Sequence, residues 1–185
     1  MAEGPFEMTT PCFMAGESDI ERPTDACGVV GLYGVKDAAS LAALGLHALQ
    51  HRGQESAGIV TSYEGRLLCH KGMGLVANVF ANGEGARLPG DMAIGHVRYS
   101  TAGSSDLANA QPLVARYSGG QIAIAHNGNL AGGKRLAAML AEKGALFQTT
   151  TDTEYFLHLL AQEGGTSEES IAAMLDRAGP AFALV

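Results

Sequence analysis

Residues 27–34 read CGVVGLYG, and recognisable order in the chain begins there. The run is short, apolar and closed by glycine, the pattern of a buried strand. Forward of it, DAASLAALGLHALQH (37–51) places Leu41, Leu44, Leu46, Leu49 and several alanines at helical spacing, with Gly53 as a stop. AGIVTSY, the turn Glu64-Gly65 and RLLCHKG read as a β-hairpin, followed by a helical turn around LVANVF. Strands are predicted at MAIGHVRYS, PLVARYS and QIAIAHN, the last two joined at Gly119-Gly120, and helices at 130–143, 152–162 and 167–177. Clustered hairpins flanked by helices favour an α+β layered domain over an alternating βαβ sheet.

Behind Cys27 the chain changes character. Residues 1–26 are acidic, hold three prolines and show no period of two or 3.6, so they are expected to form an extended leader without a core. At the other end, Pro180 to Val185 reads as the opening of a strand, and the chain is expected to be a fragment of a longer protein. A length of 185 residues gives a prior of one domain.

Composition narrows the classes. With 46% hydrophobic and 17% charged residues the chain is ordinary for a globular protein. A net charge of -7 opposes a general nucleic-acid grip, which needs a basic face. No apolar run is long enough to span a bilayer, and the N-terminus lacks a secretory signal, so the cytoplasm is the expected compartment. Cys12, Cys27 and Cys69 are odd in number and form no CxxC pair, which opposes a zinc site or disulfide framework.

Four features could carry chemistry. Cys27, taken alone, is either a buried strand cysteine or a nucleophile, and it can attack only as thiolate, so it needs a nearby base. If the Ala26–Cys27 bond is cut, the new α-amine supplies a base of near-neutral pKa in the same residue. The polar run Gln50 to Gly58 lies between a helix and a strand, where it is either a functional loop or a solvated cap. Arg98 ends a strand before Tyr99, Ser100, Thr101 and a glycine; its fork suits a carboxylate or phosphate, or simply a surface acid. Asn127-Gly128, in HNGN, is foremost a hairpin signal, but a helix follows it, and its amide and N–H can together serve one oxyanion. Asp152 opens a helix after three threonines, as an N-cap or as a group holding an ammonium. Taken together, a nucleophile, an oxyanion hole, an arginine and an aspartate describe a site for glutamine.

CGVVGLYG, LQHRGQESAGIV, GMGLVANVF, GHVRYSTAGSS, NAQPLV and HNGNL, in this order, resemble the glutaminase domain of the amidophosphoribosyltransferase family. The resemblance covers residues 27–185 almost without a gap. It implies the N-terminal nucleophile hydrolase fold, a four-layer αββα sandwich, here expected to be incomplete at the C-terminus. The glucosamine-6-phosphate synthase family usually carries YRGYDSAG and RWATHG where this chain has HRGQESAG and RYSTAG. Asparagine synthetases usually read HRGPD and NGEIYN.

Residue by residue, the resemblance implies Cys27 as nucleophile and Asn127 and Gly128 as oxyanion hole. It implies Arg98 and Thr101 for the glutamine carboxylate and Asp152 for its α-amine. Arg52 and Gly53 match a loop that closes over glutamine, while Cys12 and Cys69 match no functional position and are left as structural. The implied activity is glutamine hydrolysis supplying ammonia to convert phosphoribosyl pyrophosphate into phosphoribosylamine, at the opening of purine biosynthesis. The phosphoribosyltransferase domain is expected outside this chain. No cofactor or metal is expected within it; magnesium and, in some members, an iron–sulfur cluster belong to the full-length enzyme, as does a homotetramer. Two other readings stay open: another amidotransferase of the same fold, such as glucosamine-6-phosphate synthase, and a non-catalytic truncated fragment that only binds.

Overall fold

The computed structural model describes residues 27–83, 87–99, 106–179 and 182–185. Its first sheet is built from β1 (Gly28–Leu32), β2 (Ser56–Tyr63), β3 (Arg66–Met73) and β4 (Met92–Arg98), in the order β1-β4-β2-β3 and antiparallel throughout. The predicted hairpin therefore forms β2 and β3, with Glu64 and Gly65 in the turn. Helices α1 (Ala38–Ala48) and α2 (Val76–Val79) cover one face. Ala38, Ala39, Ala42 and Leu46 of α1 are buried against Ala57, Ile59, Ala93 and Val97. Small side chains on the helix let it lie close to the strands, and the apolar area removed from water holds the layer together.

The predicted helix over 37–51 ends earlier, at Ala48, and gives way to a 3-10 turn over Gln50–Arg52. The reason is a side chain. Gln50 donates from Nε2 to the Gly53 carbonyl and accepts the Val76 N–H at 2.6 Å, so the chain is drawn into a turn against α2.

A second sheet layer consists of two small antiparallel pairs, β5 (Leu113–Tyr117) with β6 (Gly120–Ile124), and β7 (His126–Gly128) with β8 (Phe182–Leu184). The run QIAIAHN, expected as one strand, is divided at Ala125. Leu113 pairs with Ile124, so the next partner of Ala125 would be Pro112, which has no N–H to offer. Ala125 instead exchanges both backbone hydrogen bonds with Val185, at 2.8 and 2.9 Å, and the strand continues on β8.

Helices α3 (Gly133–Glu142), α4 (Thr153–Gln162) and α5 (Glu168–Ala178) close the far side, near the predicted spans. Their core joins Leu136, Leu140, Phe156, Leu159 and Met174 to Leu113 and Ile124, with Phe156 and Phe182 edge-on at 5.0 Å. The order of layers is thus helix, sheet, sheet, helix. Side chains stitch the two sheets together: the Lys71 ammonium donates to the Ala110 carbonyl at 2.6 Å, and the Leu67 N–H to Gln121 Oε1 at 3.1 Å.

Candidate active site

The site forms where β1, β4 and the start of β2 converge. Gly28 pairs with Val97, and continuing that register brings Cys27 beside Arg98 and Tyr99. The Cys27 thiol is half-buried and faces the Tyr99 carbonyl, with Sγ 3.7 Å from the oxygen. Arg52 lies behind it and donates from Nε to the Cys27 carbonyl at 2.9 Å. Gly53 packs still more closely, because a Cβ there would lie 2.7 Å from the Val97 carbonyl carbon and 2.8 Å from Arg98 backbone atoms. Any side chain larger than hydrogen would push the loop off β4.

Alternation along β4 sends Val97 into the α1 core and turns His96 and Arg98 toward the second half of the molecule. Both are buried. Arg98 Nη1 stands 3.3 Å from Glu55 Oε1, a pair largely out of solvent, whereas a bland arginine would be exposed on the surface. His96 donates from Nε2 to the His126 carbonyl at 3.1 Å. A carbonyl can only accept, so the proton is on Nε2. Burial pushes the pKa of His96 down to about 3, against a smaller upward effect of that hydrogen bond, and the ring is neutral at ordinary pH.

The opposite wall comes from β7 and the entry to α4. The His126 N–H is held by Gln111 Oε1 at 2.7 Å. Asn127 pairs with Ala183 inside the β7–β8 ladder, and Gly128 takes φ 136°, a conformation open essentially to glycine. Asp152 occupies the N-cap position of α4 without capping it. Its carboxylate reaches across instead: Oδ2 accepts the Leu130 N–H at 2.8 Å, and Oδ1 stands 3.4 Å from His126 Nδ1. Burial acts to raise this carboxyl, but the hydrogen bonds from His126 and Leu130 and the His126 charge outweigh it. Asp152 is therefore held below the usual carboxylate range, as an anion.

Between these walls lies a cavity of about 500 Å³. Cys27, Arg98, Gly128 and Asp152 line it, together with Gln111 and Tyr155. Four of the residues singled out in the sequence thus share one surface, although they come from four separate stretches. Asn127 stands between the wall residues His126 and Gly128, while Arg52 and Gly53 support Cys27 from behind. Thr101, the leader 1–26 and the Ala26–Cys27 junction lie outside the described residues. Cys69 is exposed on β3, where a purely structural cysteine would be expected inside. Among the described residues no group of three or more histidines, cysteines or acids could hold a metal ion, and no helix is long and apolar enough to cross a membrane.

His96, Gln111, His126 and Asn109 also frame the site, although their residue types alone do not announce it. Their signal was present only indirectly, as polar residues inside apolar or proline-marked runs.

Known proteins fit this geometry. A family model described as a glutamine amidotransferase domain matches residues 96–185. Over 142 residues the chain is 49% identical to an amidophosphoribosyltransferase of Lacticaseibacillus casei, covering 76% of this chain and 73% of that relative. The chain belongs to the amidophosphoribosyltransferase family. Within that family it is 56% identical over 153 residues to amidophosphoribosyltransferase 1, chloroplastic, of Arabidopsis thaliana, covering 82% of this chain and 27% of the relative. The solved glutamine phosphoribosylpyrophosphate amidotransferase of B. subtilis, complexed with ADP and GMP, superposes with a TM-score of 0.77 at 42% identity. That match covers 84% of this chain and 34% of the other, so the chain corresponds to about a third of the longer relatives. The fold is that of the N-terminal nucleophile hydrolases, and the match is to the glutaminase portion. The family assignment favours amidophosphoribosyltransferase over glucosamine-6-phosphate synthase.

Proposed function

We propose that residues 27–185 form a glutaminase domain in which Cys27, once residues 1–26 have been removed, attacks the carboxamide of glutamine. The observation that carries this reading is the shared cavity, with a thiol at one end, a buried guanidinium beside it and an ionised carboxylate across from it. Arg98, with Thr101, holds the substrate carboxylate, and Asp152 holds its α-ammonium. These two fixed charges leave the side-chain carboxamide to meet Cys27, which is the selection expected for glutamine. Arg52 and Gly53 hold the loop against Cys27 from behind the cavity.

The chemistry is acyl transfer. The free α-amine of Cys27 takes the thiol proton, and the thiolate adds to the carboxamide carbon. The oxyanion that forms is stabilised by the Asn127 amide and the Gly128 N–H. The amine returns its proton to the leaving nitrogen, the C–N bond breaks, and ammonia departs from a γ-glutamyl thioester. Water, deprotonated by the same amine, then cleaves the thioester to glutamate and restores the thiol.

In the complete protein the ammonia passes to a phosphoribosyltransferase domain and displaces pyrophosphate from phosphoribosyl pyrophosphate. The product is phosphoribosylamine, at the start of purine biosynthesis. Magnesium, any iron–sulfur cluster and homotetramer contacts belong to that longer assembly, which works in the cytoplasm. Intact mass of the purified protein tests the maturation step. A species beginning at Cys27 is expected in every active preparation, and activity in protein that retains residues 1–26 would refute the free-amine mechanism.

A further inference from the structure

NAQPLV is one of the motifs singled out in the sequence, yet the mechanism above gives its polar residues no task. Asn109 closes a 3-10 turn over Leu107–Asn109 and is 1% exposed. Its amide grips Thr150 at two points, accepting the backbone N–H on Oδ1 at 2.8 Å and donating from Nδ2 to the hydroxyl at 2.8 Å. Thr150 and Thr151 lead directly into Asp152 on the cavity wall. Two residues on from Asn109, Gln111 is also buried and holds the His126 N–H at 2.7 Å, immediately before Asn127 and Gly128.

One three-residue segment therefore grips that opposite wall at two places. The segment is itself anchored to the first sheet, which carries Cys27 at its edge. Lys71 of β3 holds the Ala110 carbonyl at 2.6 Å, and the Gln111 carbonyl is seated over Gly58 of β2, where a Cβ would collide with it. The distance from Cys27 to that wall is then set by residues 109–111: the Gln111 grip on His126 is a buried hydrogen bond, and the Asn109 grip on Thr150 is made at two points by a buried amide.

We propose that Asn109 and Gln111 are positioning residues that hold the wall built from β7 and the entry to α4 at a fixed distance from Cys27, Gln111 at the oxyanion-binding strand and Asn109 at the approach to the amine-binding Asp152. The proposal rests on the glutaminase reading of the cavity. Because the two side chains grip different parts of that wall, they affect different kinetic constants. Asn109 acts through Asp152 on substrate binding, and Gln111 acts through Gly128 on the transition state.

Steady-state glutamine hydrolysis by the complete mature protein tests this. Asn109→Leu is expected to raise KM for glutamine by roughly tenfold, the combined effect of losing both partly buried hydrogen bonds to Thr150, while kcat stays within about twofold. Gln111→Leu is expected to show the reverse, a kcat lower by roughly tenfold at little-changed KM. Asn109→Asp keeps an acceptor for the Thr150 N–H and for its hydroxyl, and Gln111→Glu keeps the acceptor for His126, so both should recover most of the loss. A leucine variant with unaltered constants, or conservative variants that fail as badly as the leucines, would overturn the proposal. A parent protein that hydrolyses no glutamine would overturn the glutaminase reading itself, a result distinct from unaltered variants of an active parent.

Discussion

Replacing Gly53 by alanine adds a single methyl group at the tightest backbone approach near Cys27. The added carbon would lie 2.7 Å from the Val97 carbonyl carbon and 2.8 Å from the Arg98 nitrogen and carbonyl carbon. Carbon atoms in contact settle at about 3.5–4.0 Å, so the loop and β4 must separate by roughly 0.8 Å or more. Neither partner yields easily. β4 is hydrogen-bonded on both edges, by β1 and β2, and the loop is tied down by Gln50 and by the Glu55 N–H to the Arg98 carbonyl at 3.0 Å. Overpacking of this kind costs about 1–3 kcal/mol. In a domain of this size each kcal/mol lowers Tm by roughly 2–4 °C, so Gly53→Ala should melt about 2–12 °C below the parent. The displaced atoms include Arg52, which holds the Cys27 carbonyl, and the Arg98 backbone. A misplacement near 1 Å can cost on the order of 100-fold in turnover, so glutamine hydrolysis should fall much more than stability does. Calorimetry and a coupled glutamate assay on the same preparation report both effects. A variant that melts and turns over like the parent would show that the close approach does not hold the nucleophile in place.

Three further outcomes are expected. Arg98→Leu removes the guanidinium proposed for the substrate carboxylate and leaves Glu55 unpaired; KM for glutamine should rise by a factor of about 10–100, and an unchanged KM would count against that role. His96 is neutral in the fold with a pKa of about 3, against 6.5 when unperturbed. As pH falls from 6.5 toward 3 the unfolded chain takes up this proton first, so folding loses about 1.4 kcal/mol per pH unit in that window and regains it as pH rises. Urea unfolding between pH 7.5 and 5 should show a loss of about 2 kcal/mol that His96→Gln largely abolishes; an equal slope in the variant would exclude His96 as its source. Ser167 caps α5 by accepting the Ser170 N–H at 3.2 Å, so Ser167→Ala should cost about 1 kcal/mol in thermal unfolding without altering turnover.

Most of the fold could be read locally. Helix spacing, the Glu64-Gly65 turn and the short apolar runs each report on neighbours within a few residues, and these elements appear close to where they were expected. What could not be read depends on partners far along the chain. The division of the second sheet at Ala125 follows from Pro112 lying opposite it and from Val185 taking over the pairing. Nothing within QIAIAHN marks that break. The same holds for the site. Cys27, Arg98, Gly128 and Asp152 carry side chains or backbone suited to chemistry and were visible as residue types. Asn109, Gln111 and His96 are ordinary amides and an imidazole, whose meaning lies in being buried with one specific distant partner. Asp152 shows the opposite case, since its N-cap position is apparent but its side chain caps nothing and turns to Leu130 and His126.

The central claim is that Cys27 is the nucleophile, and a glutamine analogue with an electrophilic diazoketone in place of the carboxamide tests it most directly. Cys69 provides an internal reference, because it is a second free cysteine, exposed on β3 and away from the cavity wall. Peptide mapping of the mature protein after treatment should place one adduct on Cys27, blocked by excess glutamine and absent in Cys27→Ala, with activity lost in step with labelling. An adduct on Cys69, or labelling that persists in Cys27→Ala and remains protectable by glutamine, would contradict the account.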